Sequence, residues 1–424
     1  MWNVLKYIFG GIIVSSYYFS FAFTFLPESI NTKMILAVIG IPLLCFNILS
    51  RDNRVVMFKE IFIATLLAII FTLWCCFSVD YNGTGDYTYG SYIMSYSVWM
   101  FGAYTVTQVI RTIHGYVDLR LLTYYLAGVC IGQCVMALVI DNVPAVQNLV
   151  NAYIYQAQDF LMRIGRLYGI GASLDNAGVR FSVVLLLIAV MVVKDPKVES
   201  NQKETLLLLL SFILITGIGN IISRTTIVGT TLGLIYILLY SGIITIVMKQ
   251  RGIKLALTLS VLVVLLFSIG TFFYMTSPVF EEYFRFGFEG FFNLVEKGEW
   301  TTSSTERLNT VMWKWPDPND IKTWLIGQAT FVNWFAVGTD IGYCRFIFYC
   351  GAIGFGIFVI FFIYNAWVCQ KMLPQYTNLA IFLLAISFIV WIKVATDIFL
   401  IYALMYCLYD YNDKKVETVR LNQC

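Results

Sequence analysis

Seven arginines stand where an apolar chain has little reason to carry them. Arg163, Arg166, Arg180, Arg224, Arg285, Arg307 and Arg345 fall at the edges of uncharged runs or in the segments between them. Arg224 is the sharpest case, in Ile221-Ile222-Ser223-Arg224-Thr225-Thr226, where two apolar runs meet with almost no polar connection. A guanidinium held near hydrocarbon is costly unless an anion compensates it. Its planar donor fork suits phosphate in two-point contact. The arginines therefore read as a clamp for a diphosphate. The plain alternatives are snorkelling to lipid phosphates and an ion pair with a loop carboxylate.

Three further residue sets bear on chemistry. Trp300, Trp313, Trp315, Trp324 and Trp334 are half of the ten tryptophans and share one polar stretch. Their faces can stack on sugar rings or form an interfacial belt. Asp340 follows Thr339 directly before an apolar run. The pair can cap a helix start, and Asp340 can equally serve as a base or orienting group beside an anionic ligand. The only histidine, His114, lies in Arg111-Thr112-Ile113-His114-Gly115. No metal site is expected. The ten cysteines form no CxxC pair and read as packing residues. Gly169-Ile170-Gly171 and Gly217-Ile218-Gly219 lack the strand, the helix and the lysine of a phosphate loop.

The elements that position these residues must be membrane helices. Hydrophobic residues make up 59% of the 424 and charged ones 12%, against about 25% charged in a soluble chain. A helix is the open-ended element that satisfies its own backbone in lipid. Apolar runs predict about twelve spans, near Val4 to Phe25, Met34 to Leu49, Ile61 to Val79, Tyr92 to Ile110, Leu121 to Ile140 and Gly178 to Val193. They continue near Thr205 to Ile221, Thr226 to Met248, Leu255 to Tyr274, Gly342 to Val368, Leu379 to Trp391 and Ala395 to Tyr409. The first run has no small-residue cleavage site and reads as a retained span. With a cytoplasmic start, every inner connection carries Lys or Arg, the first five (from Arg51–Lys59 on) being net basic. Residues 1–424 then form one integral membrane domain with two sizeable outward segments, 141–176 and 276–340. The first carries apolar residues at helical spacing from Val146 to Ile164 and reads as an interfacial helix. The second opens on a dense aromatic stretch from Phe280 to Phe292. On this registration the seven arginines, the tryptophans and Asp340 lie on the outer side, and His114 on the inner.

The ordered set of motifs resembles the O-antigen polymerase and ligase superfamily. Arg166-Leu167-Tyr168-Gly169 followed by Asp175-Asn176 is similar to its Arg…Gly…Asp-Pro-Asn segment, here without the proline. Ser223-Arg224-Thr225 resembles its Ser-Arg motif. Arg307-Leu308…Trp313, Trp324-Leu325-Ile326-Gly327, Asp340-Ile341-Gly342-Tyr343 and Gly351-Ala352-Ile353-Gly354 resemble its large loop and the span after it. The resemblance implies an inverting, metal-independent glycosyltransferase of GT-C-type membrane architecture, without a cofactor, in the bacterial inner membrane with its active site toward the periplasm. Ligases of the superfamily carry a histidine near the end of the large loop, where this chain has Asp340, so polymerisation of undecaprenyl-diphosphate-linked repeat units is favoured over ligation.

That resemblance assigns Asp340, Arg224 and Arg307 to catalysis. It assigns Arg166, Arg163, Arg180, Asn176, Arg285, Arg345, Trp313 and Trp324 to substrate binding. The partners it implies are a lipid-linked glycan donor and acceptor and membrane lipids, with room for a chain-length regulator and no nucleic acid. A ligase, a flippase or other transporter, and a non-catalytic export scaffold remain the alternatives.

Overall fold

The computed structural model describes residues 2–27, 29–49, 59–156, 160–161, 166–242 and 250–408. Arg163, most of the Arg51–Lys59 connection and the tail from Asp410 to Arg420 lie outside them. The chain is an all-α polytopic membrane protein, and helices stand at all twelve expected places. They begin with α1 (Trp2–Tyr18), α2 (Thr32–Leu49), α3 (Lys59–Asn82), α4 (Tyr92–His114) and α5 (Leu119–Asn142). After α6 (Pro144–Tyr153) come α7 (Leu174–Lys194), the short α8 (Pro196–Ser200), α9 (Gln202–Ile222), α10 (Thr226–Tyr240) and α11 (Gln250–Thr276). The large loop holds α12 (Pro278–Gly287), α13 (Glu289–Lys297), α14 (Ser303–Arg307), α15 (Ile321–Leu325) and α16 (Trp334–Val337). The chain then runs through α17 (Gly342–Met372), α18 (Leu379–Val390) and α19 (Phe399–Leu408). Seven of these, α2, α3, α5, α7, α9, α11 and α17, are long and apolar enough to cross a membrane, while α1, α10, α18 and α19 are shorter apolar helices.

Three expected boundaries move. Helix α10 ends at Tyr240, short of Met248, which lies outside the described residues. The first span stops at Tyr18, and Ala22–Phe23 instead pairs antiparallel with Ile154–Tyr155. The same contact interrupts the expected interfacial helix after Tyr153; its expected end at Ile164 lies outside the described residues. Thr24 takes the Tyr153 carbonyl with its amide (3.0 Å) and the Ala152 carbonyl with its hydroxyl (2.8 Å). The last carbonyls of a helix need outside donors, and here the loop after α1 supplies them.

The centre of the bundle is α7, whose residues Phe181 to Val193 are all buried. Helix α10 lies so close to it that a Cβ on Gly229 would come within 2.1 Å of Ser182 Cα. The Ser182 hydroxyl fixes the contact, accepting from the Gly229 amide (3.1 Å) and donating to the Thr225 carbonyl (3.0 Å). This pins the short Ser223–Thr225 turn, and with it Arg224, over the start of α7.

Helix α17 is broken. Gly351 has φ 66° and ψ −178°, so its neighbours turn their carbonyls out of the helix. Gln328 and Ala329 donate to the Phe348 and Tyr349 carbonyls (2.6 and 3.0 Å), and the Ser78 hydroxyl donates to the Ile326 carbonyl (2.7 Å). The end of α15 and the segment after it are thus set into the break. A side chain at Gly351 would fall within 2.2 Å of the Leu325 carbonyl carbon.

Side-chain contacts sort the helix ends into two layers. In one, Asp175, Thr225, Lys393, Asp86 and the large loop meet. In the other, Arg120 pairs with Glu204 (3.4 Å), Lys371 with Glu60 (2.7 Å) and Tyr376 with Asp195 (2.9 Å). His114 belongs to this second layer, bonded to the Tyr125 hydroxyl (2.8 Å).

Candidate functional site

A cavity of about 790 Å³ opens at the layer expected to face outward. Its floor is the start of α7. Leu174 there has φ 50°, a left-handed conformation that costs a non-glycine residue of order 1–3 kcal/mol and gathers at functional sites. The next residue, Asp175, accepts on one oxygen from the Thr225 hydroxyl (2.6 Å), the Lys393 ammonium (2.7 Å) and more weakly the Ser223 hydroxyl (3.4 Å). Lys393 also reaches the Thr225 hydroxyl (3.0 Å). The two motifs around Asp175 and Arg224, 49 residues apart in sequence, are therefore one structure.

One wall belongs to the large loop. The Phe286 ring lies between two guanidinium groups, Arg224 at 4.2 Å and Arg166 at 4.7 Å from its centroid. Arg224 bonds the Glu289 carboxylate and reaches the Ser303 hydroxyl (3.3 Å). Ser303 in turn donates to Glu289 with its amide (2.9 Å) and hydroxyl (3.1 Å). Arg285, also on the wall, binds Glu296 (2.5 Å) and the Tyr274 hydroxyl (3.1 Å). The opposite side carries Asp340 and Arg345. Arg345 donates to the Phe331 carbonyl and lies 4.0 Å from the centroid of the Phe331 ring.

Six cations, Arg166, Arg224, Arg285, Arg307, Arg345 and Lys393, thus line a cavity that holds three carboxylates, Asp175, Glu289 and Asp340. Among the described residues, neither Arg166 nor Arg307 has a carboxylate partner. Burial, and then the like charge of Arg224, push the Arg166 guanidinium below its ordinary pKa, with Asp175 offsetting only part. A dianion entering here would relieve that repulsion.

Asp340 is exposed, and its carboxylate accepts from the Trp334 indole (2.7 Å). It does not cap α17. Thr339 accepts from the Ile341 amide (3.1 Å) and donates to the Met312 carbonyl, while the Trp391 carbonyl takes the Tyr343 amide (3.2 Å). The capping role considered for Thr339-Asp340 is therefore filled by another helix end, and Asp340 keeps one oxygen toward the cavity without a partner among the described residues.

Five of the seven arginines and Asp340 meet in this cavity; Arg163 lies outside the described residues, and the remaining predicted site residues lie elsewhere. Arg180 sits a turn and a half deeper along α7, 5.6 Å from the centroid of the Phe19 ring. Asn176 accepts from the Thr396 hydroxyl (3.3 Å) outside the lining. Trp313 and Trp324 flank Trp315 in a stacked row, with ring centroids 5.7 and 5.8 Å apart. Glu289, Phe286, Ser303 and Lys393 complete the lining although no motif marks them. Lys393 did carry a signal of the kind that marks Arg224, a lone cation at the end of an apolar run. Among the described residues, no group of three or more His, Cys, Asp or Glu side chains could hold a metal ion.

No family model matches this chain, and no curated protein or solved structure matches it either.

Proposed function

We propose that this protein is an inverting glycosyltransferase that polymerises undecaprenyl-diphosphate-linked repeat units at the periplasmic face of a bacterial inner membrane. In this reading all twelve helices span, in a GT-C-type architecture. The observation that carries it is the convergence of Arg166, Arg224, Arg285, Arg307, Arg345 and Lys393 on one cavity whose rim holds Asp340. Such a concentration of cations beside apolar helices suits a ligand that is a diphosphate on one side and a lipid on the other. Phosphate is the anion that Arg binds in two-point contact.

The chemistry follows from that placement. A hydroxyl at the end of the acceptor glycan attacks the anomeric carbon of the donor from the face opposite the diphosphate. The carbon–oxygen bond to the diphosphate breaks, and its electron pair leaves with the lipid diphosphate. Negative charge grows on that leaving group, where preorganised guanidinium groups stabilise the transition state most. The hydroxyl proton passes to the Asp340 carboxylate, a weak base that a late proton transfer suits. Arg224 and Arg166 flank Phe286, and the Glu289 carboxylate occupies the Arg224 fork until the diphosphate competes for it.

The test is the lipid-linked glycan profile of a strain lacking the gene. Accumulated single repeat units are expected. Long chains left unattached would mean a ligase instead, and an unchanged profile would remove the chain from glycan assembly.

A further inference from the structure

We infer that the protein carries a second site, without a cation, that takes the sugar part of the ligand, on the Asp86 side of Phe331. This cavity of about 640 Å³ is lined by Thr84, Asp86, Tyr87, Thr88, Thr330 and Asn333 around Gly85 and Val332. Its size falls within the range of about 300–1,000 Å³ usual for small-molecule sites. It contains no Lys or Arg, in contrast to the six cations next door.

Phe331 connects the linings of the two cavities. Arg345, which lines the first, donates to the Phe331 carbonyl and stacks on its ring. Asp86, which lines the second, accepts from the Phe331 amide (2.7 Å) and the Val332 amide (2.8 Å). Phe331 thus bridges the linings of the two cavities, and a ligand whose diphosphate lies among the arginines would cross it to place its sugar in the second.

The lining also selects the chemistry. Thr84 donates its hydroxyl proton to the Ala329 carbonyl (2.8 Å) and Thr88 donates its own to Asp86 (2.6 Å). Both oxygens thus keep lone pairs for incoming donors. The exposed Asn333 amide, with no side-chain hydrogen bond among the described residues, offers donors and an acceptor. Tyr87, 46% exposed, presents a ring. Hydroxyls that both donate and accept match this set, and a sugar supplies them. The Asp86 carboxylate disfavours a second phosphate.

This inference rests on the proposed function, and the test separates the two. The probes are undecaprenyl diphosphate and the glycan-bearing lipid extracted from a strain lacking the gene, both titrated onto the full-length protein in nanodiscs. Wild-type protein should bind the glycan-bearing lipid more tightly. Asn333→Ala, and Asn333→Ala with Tyr87→Ala, should weaken that binding by about fivefold, the scale of one or two hydrogen bonds. Affinity for undecaprenyl diphosphate should stay unchanged in both. Equal affinities of wild type for the two lipids, or equal losses for both in Asn333→Ala, would overturn the sugar site while leaving the cationic cavity intact. Unchanged binding of undecaprenyl diphosphate to Arg224→Ala would instead overturn the diphosphate reading, whatever the second cavity does.

Discussion

At the scale of single residues, Arg224 and Asp340 make the two demands that distinguish a reaction site from a salt-bridged surface. The Arg224 guanidinium bonds Glu289, reaches Ser303 and lies against Phe286 at once, which uses its planar face and its fork together. A lysine keeps the charge and loses both. Arg224→Lys should therefore remain in the membrane fraction yet lose most polymerisation, and normal chain lengths on a glycan gel would reject the clamp. Asp340→Asn is the complementary change. The amide oxygen can still accept the Trp334 indole N–H, but no proton can be taken up. General base catalysis commonly contributes about 10²–10⁴-fold, so polymerisation by purified protein should slow at least about tenfold while expression and substrate binding hold. A wild-type rate would move the base to Asp175 or Glu289, the other carboxylates on the cavity wall. The arginines were legible in the sequence because a cation beside hydrocarbon needs a reason. Glu289 and Phe286 were not, since one more carboxylate and one more aromatic in a loop full of both carry no mark until folding sets them against Arg224.

At the scale of elements, two backbone contacts set the site, the α7–α10 crossing at Gly229 and the break in α17 at Gly351. The second makes the cleaner prediction. Gly351→Ala forces a side chain onto backbone at φ 66° and ψ −178°, a conformation confined essentially to glycine that costs of order 1–3 kcal/mol, and drives its Cβ into the Leu325 carbonyl. It should lower the melting temperature in detergent and detach the 328–332 segment from α17. Gly356→Ala, in the same helix with nothing within 4 Å of the new methyl, should leave the melting temperature unchanged or slightly raised. If both variants melt alike, the break holds nothing in place.

The loop end of that segment has its own test in acid. Burial pulls the Asp86 carboxyl upward, but bonds from Thr88 and from the Val332 and Phe331 amides outweigh it and hold it below its ordinary value. The stability Asp86 adds is then complete above about pH 4 and fades as the pH falls through the lowered native value. Asp86→Asn should remove that acid dependence from the melting temperature. Helix positions were readable from apolar runs to within a few residues at most ends. The exceptions were α10, which stops at Tyr240, and α1 and α6, whose ends are set by a strand pair between segments 131 residues apart (Phe23 with Ile154), a contact that periodicity cannot express.

At the scale of the whole molecule, the argument turns on which end of the bundle holds the cations. Seven helices have the length and apolar character to cross, and helices stand at the five other expected places as well. The contacts sort the described connections into two layers, and the described basic ones, Arg111 to Arg120, Lys194 to Lys203 and the break around Lys371, fall opposite the cationic cavity. Packing thus groups the same helix ends that the Lys and Arg counts group, and the counts supply the orientation. The large loop is where a count of charges says least, because long segments translocate regardless of their lysines, so the prediction is placed there. Trp300, 53% exposed, and Tyr116, 47% exposed in the opposite layer, are each replaced by Cys without loss of a helix cap. In intact cells, a membrane-impermeant maleimide read against the parent protein should label Trp300→Cys and spare Tyr116→Cys until the membrane is opened. The reverse pattern would put the arginine cavity on the cytoplasmic side and overturn the proposed periplasmic reaction.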